Sequence, residues 1–291
     1  MAQAWKCSGL RWSADGPVLR WEGGRRSGLA RGKRVAFGVV EGGVRTCVGA
    51  RGHPCPVRAA VSGRSTGARC EECARLDRAH SVAADTLADD PRPYRVYLAW
   101  FGPGMVKVGI TAYERGSARL LEQGAVCFSW LGTGPLMAAR RTEELLRAAL
   151  SVPDRIPYGA KRAVRSALPE SAAERAAEIA ALHRRAVALA GWPESLERAP
   201  YEPVDHVGVF GLAGLTAAAG EVSELAAGGT VGGRLVAAAG PDLHLETEGA
   251  GIVVLDTRLM TGWELVPADG GRTTVPVRGF KEATGVQDGL F

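Results

Sequence analysis

The chain has 291 residues, 46% hydrophobic and 23% charged, with a net charge of +5, which leaves room for two or three small domains with cores of ordinary size. No run approaches the roughly 20 apolar residues that span a bilayer, and Met1-Ala-Gln-Ala-Trp-Lys6 does not open a secretory signal. A membrane protein and an exported one are therefore not expected; a cytoplasmic location is, and there six cysteines point to metal ligation ahead of disulfides.

The first ninety residues read as short strands between glycine turns, with Pro17-Val-Leu-Arg-Trp-Glu22, Lys33–Val40 and Val44–Cys47 as the segments. Asp89-Asp-Pro-Arg-Pro93 marks a boundary. Tyr94–Phe101, a Gly-Pro-Gly turn and Met105–Thr111 form a hairpin of buried strands, followed by helices around 113–123 and 136–151. A longer helix is expected from about 170 to 190, capped by Ser171 with Glu174, striped by Ile179, Leu182, Ala186 and Leu189, and stopped at Gly191-Trp-Pro193. His183, beside Arg184 and Arg185, falls on its exposed face. Past Pro200 the strand pattern returns at Thr230–Ala238, Gly251–Asp256, Gly262–Val266 and Thr273–Val277. The fold class is thus α+β: a β-rich part over 1–90, a mixed unit over 91–158, a helical extension over 159–199 and a C-terminal β domain over 200–291.

Charge is unevenly spread over these parts. Residues 1–88 carry 15 Lys and Arg against 7 Asp and Glu, residues 89–199 carry 16 against 12, and residues 200–291 carry 5 against 12. A basic front suits an anionic partner such as DNA or RNA, although arginine is also an ordinary surface residue.

Cys47, Cys55, Cys70 and Cys73 fall within one 27-residue window that has little else with which to build a core. The Cys-x-x-Cys pair at 70–73 can chelate one ion from a tight turn, and Cys47 with Cys55 can complete a tetrahedral four-thiolate zinc site, structural because it leaves no open position. His53 or His80 could replace one of the thiols. A redox Cys-x-x-Cys lacks the βαβ context that normally surrounds it, and four unrelated buried thiols is the remaining alternative. Cys7 and Cys127 lie outside the cluster.

Val96-Tyr97-Leu98, a glycine turn, Lys107-Val-Gly-Ile-Thr111, Arg119 and Glu143 resemble the ordered motifs of the GIY-YIG nuclease superfamily, in the variant where Lys-Val-Gly-x-Thr replaces the second motif. The wider pattern, with four cysteines upstream and Asp154-Arg155 downstream, is similar to an uncharacterised bacterial domain-of-unknown-function family. The superfamily resemblance implies a small three-stranded antiparallel sheet with flanking helices over 91–158, hydrolysing phosphodiesters with one Mg2+ or Mn2+. Carried over, Glu143 would hold the cation, Arg119 would clamp phosphate, Tyr97 would supply a hydroxyl, and Lys107 would stand where a tyrosine is usual. Gly109 would admit the substrate backbone, and Thr111, Arg115 and Gln123 would line the substrate site. A silent nucleic-acid-binding protein, or an interaction scaffold on the same fold, remains the alternative function.

The residues themselves support part of this. On a helix over 136–151, Glu143 shares a stripe with Ala139, Leu146 and Leu150, and a carboxylate on an inward stripe needs a partner: a metal ion, a buried hydroxyl, or an arginine such as Arg115 or Arg119. Tyr94, Trp100, Phe101, Phe128 and Trp130 could stack bases or fill a core. Asp154-Arg155 and Lys161-Arg162 could line a phosphate path or mark a solvated helix boundary. His206 and His244 stand alone in the sequence.

Overall fold

A computed structural model describes residues 3–13, 15–79, 90–268 and 272–280; His80 lies outside them. Strands β1 (Trp5–Ser13), β2 (Gly16–Trp21), β3 (Arg26–Gly28) and β4 (Arg34–Val39) lead into an irregular stretch and helix α1 (Glu71–Ala79). The hairpin follows as β5 (Pro93–Trp100) and β6 (Val106–Ala112), then α2 (Ala118–Gln123), β7 (Cys127–Pro135), α3 (Leu136–Leu150), α4 (Tyr158–Val164) and α5 (Ala172–Val187). Short β8 (Glu197–Arg198), β9 (Val204–Asp205) and α6 (Val207–Phe210) precede β10 (Gly220–Val222), β11 (Thr230–Ala239), β12 (Asp242–Thr247), β13 (Gly251–Asp256), β14 (Glu264–Pro267) and β15 (Val277–Gly279). The α+β class holds. No helix among the described residues is long and apolar enough to cross a membrane.

Two sheets organise these elements. The larger has ten strands in the order β15-β10-β13-β12-β11-β4-β14-β1-β2-β3, so strands from the first forty residues and from the last third of the chain share one hydrogen-bonded surface. The smaller runs β6-β5-β7-β8, with β9 also on β7. Its three long strands are antiparallel, and β5 pairs β6 in the register Tyr97 to Gly109 and Ala99 to Lys107.

Side-chain alternation on β5 divides the core. Tyr94, Val96, Leu98 and Trp100 face α3 and α5, where they meet Leu136, Ala139, Leu146 and Ile179. Tyr97, Ala99 and Phe101 face the other way, onto Leu120 of α2, Phe128 and Ile156. Four of the five aromatics read as stacking candidates, Tyr94, Trp100, Phe101 and Phe128, are therefore core residues, each fully buried.

Some boundaries differ from the sequence reading, for local reasons. The helix expected over 113–123 splits into a 3-10 turn at Tyr113–Arg115 and α2, because Gly116 takes a positive φ of 48° between them. Ser171 caps α5 by accepting from the Ala173 amide at 3.2 Å. His183 is a correction: it is buried with Arg175, Ile179 and Ala186 on the inner stripe of α5, and its ring meets Tyr201 edge-on at 5.4 Å. Helical phase sets that stripe, and the two neighbouring arginines mislead. The segment expected as a strand at Thr273–Val277 pairs only from Val277 onward.

Two buried arginine clusters tie the parts together. Arg45, 1% exposed, forms no ion pair among the described residues; its guanidinium donates to the carbonyls of Thr261 (2.8 Å), Ser62 (2.6 Å), Ser65 (2.6 Å) and Arg258 (2.8 Å). It thereby fixes the cysteine-bearing loop to the large sheet. Arg162 of α4 and Arg165, which caps its C-terminus, tie this helix to the large sheet: Arg162 bridges Glu221 (2.8 Å), Asp242 (2.7 Å) and Asp256 (2.6 Å), and Arg165 reaches Asp242 at 2.6 Å.

Candidate functional site

The four cysteines expected to act together do meet. The sulfurs of Cys47, Cys55, Cys70 and Cys73 all lie within 4.8 Å of one another, and none forms a disulfide. A tight hairpin turn, with Arg51 at φ 54° and Gly52 at φ 81°, folds Cys47 back toward Cys55. Gly49 permits that fold, since a Cβ there would stand 1.8 Å from the His53 carbonyl oxygen. Cys70 directly precedes α1 and Cys73 lies in its first turn, where the helix N-terminus favours negative charge. The amides of Gly49 (3.3 Å) and Cys70 (3.2 Å) donate to the Cys47 sulfur, and backbone amides, led by Ala59, draw the Cys55 thiol down to about 7. Four thiols at this spacing fit one tetrahedral ion, whose sulfur ligands stand about 3.8 Å apart when each metal–sulfur bond is near 2.3 Å. His53 is exposed and outside the cluster.

The second group of candidates, apart from Glu143 of α3, gathers on the α2 side of the small sheet. Lys107, Gly109 and Thr111 alternate along β6 on the same face as Tyr97 of β5. The Tyr97 hydroxyl accepts from Gln123 Nε2 at 2.9 Å, and burial raises its pKa. Gly109 has a role not expected of it: the Tyr97 phenol lies across its Cα, and a Cβ at 109 would come within 2.4 Å of the hydroxyl. The open side of this glycine is filled from within the protein. Thr111 is buried, and its Oγ1 has no hydrogen-bond partner among the described residues.

Charge on this face is mostly positive. The Lys107 ammonium, 9% exposed, lies 5.7 Å from the Tyr97 ring centroid and donates to the Asp154 carbonyl at 3.3 Å. Burial, with the Arg119 charge adding to it, pulls its pKa down to about 8. Arg115 and Arg119 stay near the surface, and both reach Glu122, at 2.6 and 3.9 Å. They do not pair with Glu143, which corrects the expectation of an ion pair there. Glu143 is half-buried on α3 beside buried Thr142 and Leu146; burial raises its pKa, Lys107 opposes that rise and Asp154 adds to it. No hydrogen bond or ion pair holds its carboxylate among the described residues.

Residues 32–265 match the family model described as "Protein of unknown function (DUF2797)". The chain belongs to this family. No curated protein and no solved structure matches it. The DUF2797 match takes in the thiol cluster, the whole of the small sheet and α4, while β1, β2 and β3 precede it.

Within the matched region, α4 supplies what sequence reasoning only brushed. The Lys161 ammonium, 4% exposed, donates to the Gln123 carbonyl at 3.0 Å and sits against the rings of Phe101 (3.9 Å) and Tyr158 (4.4 Å). Burial, reinforced by the charges of Lys107 and Arg165, draws its pKa down to about 7. Its neighbour Arg162 is taken up by carboxylates of the large sheet. Arg95, on β5, was not singled out from the sequence; its guanidinium lies between the rings of Tyr113 (3.9 Å) and Trp130 (4.8 Å). A lone arginine in a strand carries no signal for such a stack, because the two rings come from different elements. His206 and His244 are buried and structural, His206 bonded to the Ala125 carbonyl at 2.8 Å and His244 beside Arg165 at 3.3 Å.

Proposed function

We propose that this chain binds DNA or RNA on the cationic face of its small sheet and hydrolyses phosphodiesters there with a divalent cation, and that its four thiols hold one structural zinc ion. The observation that carries the reading is Glu143: a half-buried carboxylate without an ion pair among the described residues, within the electrostatic reach of Asp154 and of the cation Lys107. Mg2+ or Mn2+ commonly takes one or two protein carboxylates and leaves its other positions to water and phosphate oxygens. Glu143 fits that demand, and the ion would supply charge neutralisation and an acidified water.

The chain's own residues account for the rest of the reading. Arg115 and Arg119, at the surface and paired there with Glu122, would meet phosphate first, and a bidentate guanidinium suits it. Lys107, deeper in the face, adds positive charge where negative charge builds up in the transition state. Because the Tyr97 hydroxyl accepts from Gln123, its own proton remains free to be donated, and its raised pKa keeps it protonated at neutral pH. The stack of Tyr113, Arg95 and Trp130 offers an unpaired base an aromatic and cationic platform. Zinc suits four thiolates, and a four-thiolate site with no open position is structural.

Glu143→Gln tests the nuclease reading, since it keeps the side chain's size and removes the charge that would hold the ion. Metal-dependent cleavage of a labelled oligonucleotide should vanish while binding persists; an active variant overturns the mechanism. A second reading, binding without cleavage, draws support from Lys107, whose ammonium already opposes the charge of Glu143. On that reading, Mg2+ and Mn2+ produce no cleavage by the wild-type protein, and its nucleic-acid affinity falls with salt all the same.

A further inference from the structure

A cavity of about 250 Å3 opens on the large sheet, away from both groups of residues described above. Its wall is aromatic and aliphatic, from Trp5, Trp21, Phe37, Leu19 and Met260 among others. The ionisable residues that line it are Arg25, Lys33 and Arg34, all basic and all exposed; Arg34 also meets the exposed Glu248 at 3.6 Å. The Arg25 guanidinium already lies over the Trp5 ring, 4.3 Å from its centroid. Trp21 is held in place by donating its indole N–H to Ser27 Oγ at 2.9 Å. Trp5, Trp21 and Arg25 precede the DUF2797 match, whereas Lys33, Arg34 and Phe37 fall inside it, so the cavity forms where the leading strands meet the family core.

We propose that this cavity binds one nucleotide unit, its base against Trp5, Trp21 and Phe37 and its phosphate at the Arg25, Lys33 and Arg34 rim. The argument is complementarity. A planar ring gains from an aromatic wall, and three basic side chains at the rim, of which Arg34 is engaged in a weak exposed pair with Glu248, favour an anion over a neutral or cationic group. The volume is below the usual range for drug-sized ligands, about 300 Å3 and upward, which favours a single ring system over an extended molecule. A base bearing phosphate has both halves, whether it comes as a free mononucleotide or as an unpaired base of a strand.

Calorimetric titration of the full chain with AMP, adenosine, inorganic phosphate and a short single-stranded oligonucleotide tests the assignment, alongside an Arg25→Ser/Lys33→Ser variant. Both substitutions are at exposed positions, so folding is spared. Removing two rim charges should weaken the nucleotide ligand by about tenfold, the factor that corresponds to two modest exposed charge contacts. Trp21→Leu should weaken it further. Saturable AMP binding, tighter than that of adenosine or phosphate and lowered in the variant, identifies a free nucleotide as the source. Loss confined to the oligonucleotide identifies an unpaired base of a strand. If neither ligand binds more weakly to the variant, the proposal is overturned. Because the cavity is lined by no residue of the small sheet or of α3, that result leaves the nuclease reading standing, and an inactive small sheet leaves the cavity's ligand unaffected.

Discussion

The Tyr97 phenol occupies the space where a side chain at Gly109 would be. The two residues face each other across the β5–β6 ladder, and a Cβ at 109 would stand 2.4 Å from the Tyr97 hydroxyl and 2.5 Å from its ring carbon. Gly109→Ala must therefore displace a ring locked between two strands and detach it from Gln123. We expect a loss of about 1–3 kcal/mol of stability, as for other overpacked cores, measured by urea denaturation. Tyr97→Phe keeps the ring and strands the buried Gln123 amide, at a cost of about 1–3 kcal/mol. If both variants are as stable as the parent, the packing described here is wrong.

The two buried lysines make stability depend on pH. Lys161 and Lys107 have folded-state pKa values near 7 and 8, below their ordinary value of 10.5. Between those limits the unfolded chain binds more protons than the folded one, so stability should rise with pH from about 7 toward 10. Below the folded values both states are protonated and the full penalty of burying the charges applies. Lys161→Met should raise stability at pH 7 by about 1 kcal/mol or more and flatten the rise. A variant with the parent's slope would remove Lys161 as its source.

Metal removal should unfold part of the chain. The segment holding Cys47, Cys55, Cys70 and Cys73 has a small core of its own, made of three of those cysteines with partly buried Cys70, Ala50, Ala59 and Val61. Ligand-binding energy there should be folding energy. Elemental analysis should find about one zinc per chain, and chelation or Cys73→Ser should lower the melting temperature. Purified protein free of metal and equally stable with a chelator would contradict the assignment.

Asp242 is the hub of the joint between α4 and the large sheet. Burial alone would raise its pKa, but Arg165 and Arg162 more than reverse that, and the folded value is lowered. Its contribution is therefore present above the ordinary carboxylate value of 3.8 and lost as pH falls below it. Asp242→Asn leaves two buried guanidiniums short of charge and should cost about 3–5 kcal/mol. A loss under about 1 kcal/mol, the scale of an exposed pair, would mean that water reaches the joint.

The clearest sequence signals were local ones. Four cysteines in a short window, a capped amphipathic helix and an alternating hairpin each carry their geometry in their spacing, and each stands where it was expected. What could not be read depends on distant partners. Nothing near Arg45 in sequence announces that four carbonyls, two of them more than 200 residues away, will surround it. Lys161 looked like a surface residue because its burial is set by rings and by Gln123, which belong to other elements. Arg119 and Glu143 looked like natural partners, yet Glu122, one turn of helix from Arg119, takes the arginine. Local spacing can nominate charged residues, but tertiary packing decides which of them meet.

The interleaving of the large sheet has a consequence for synthesis. Strand β4 lies between β11 and β14, so the hydrogen bonds of its two edges wait for residues made some 190 and more positions later. The small sheet, by contrast, closes its three long strands within residues 93–135. A ribosome-bound chain should therefore acquire the small sheet early and carry β1–β4 with an unsatisfied edge until the end, the kind of surface that invites misassociation. Contacts this distant in sequence also slow closure. Truncation before β11 should accordingly yield protein whose middle is folded and whose beginning aggregates.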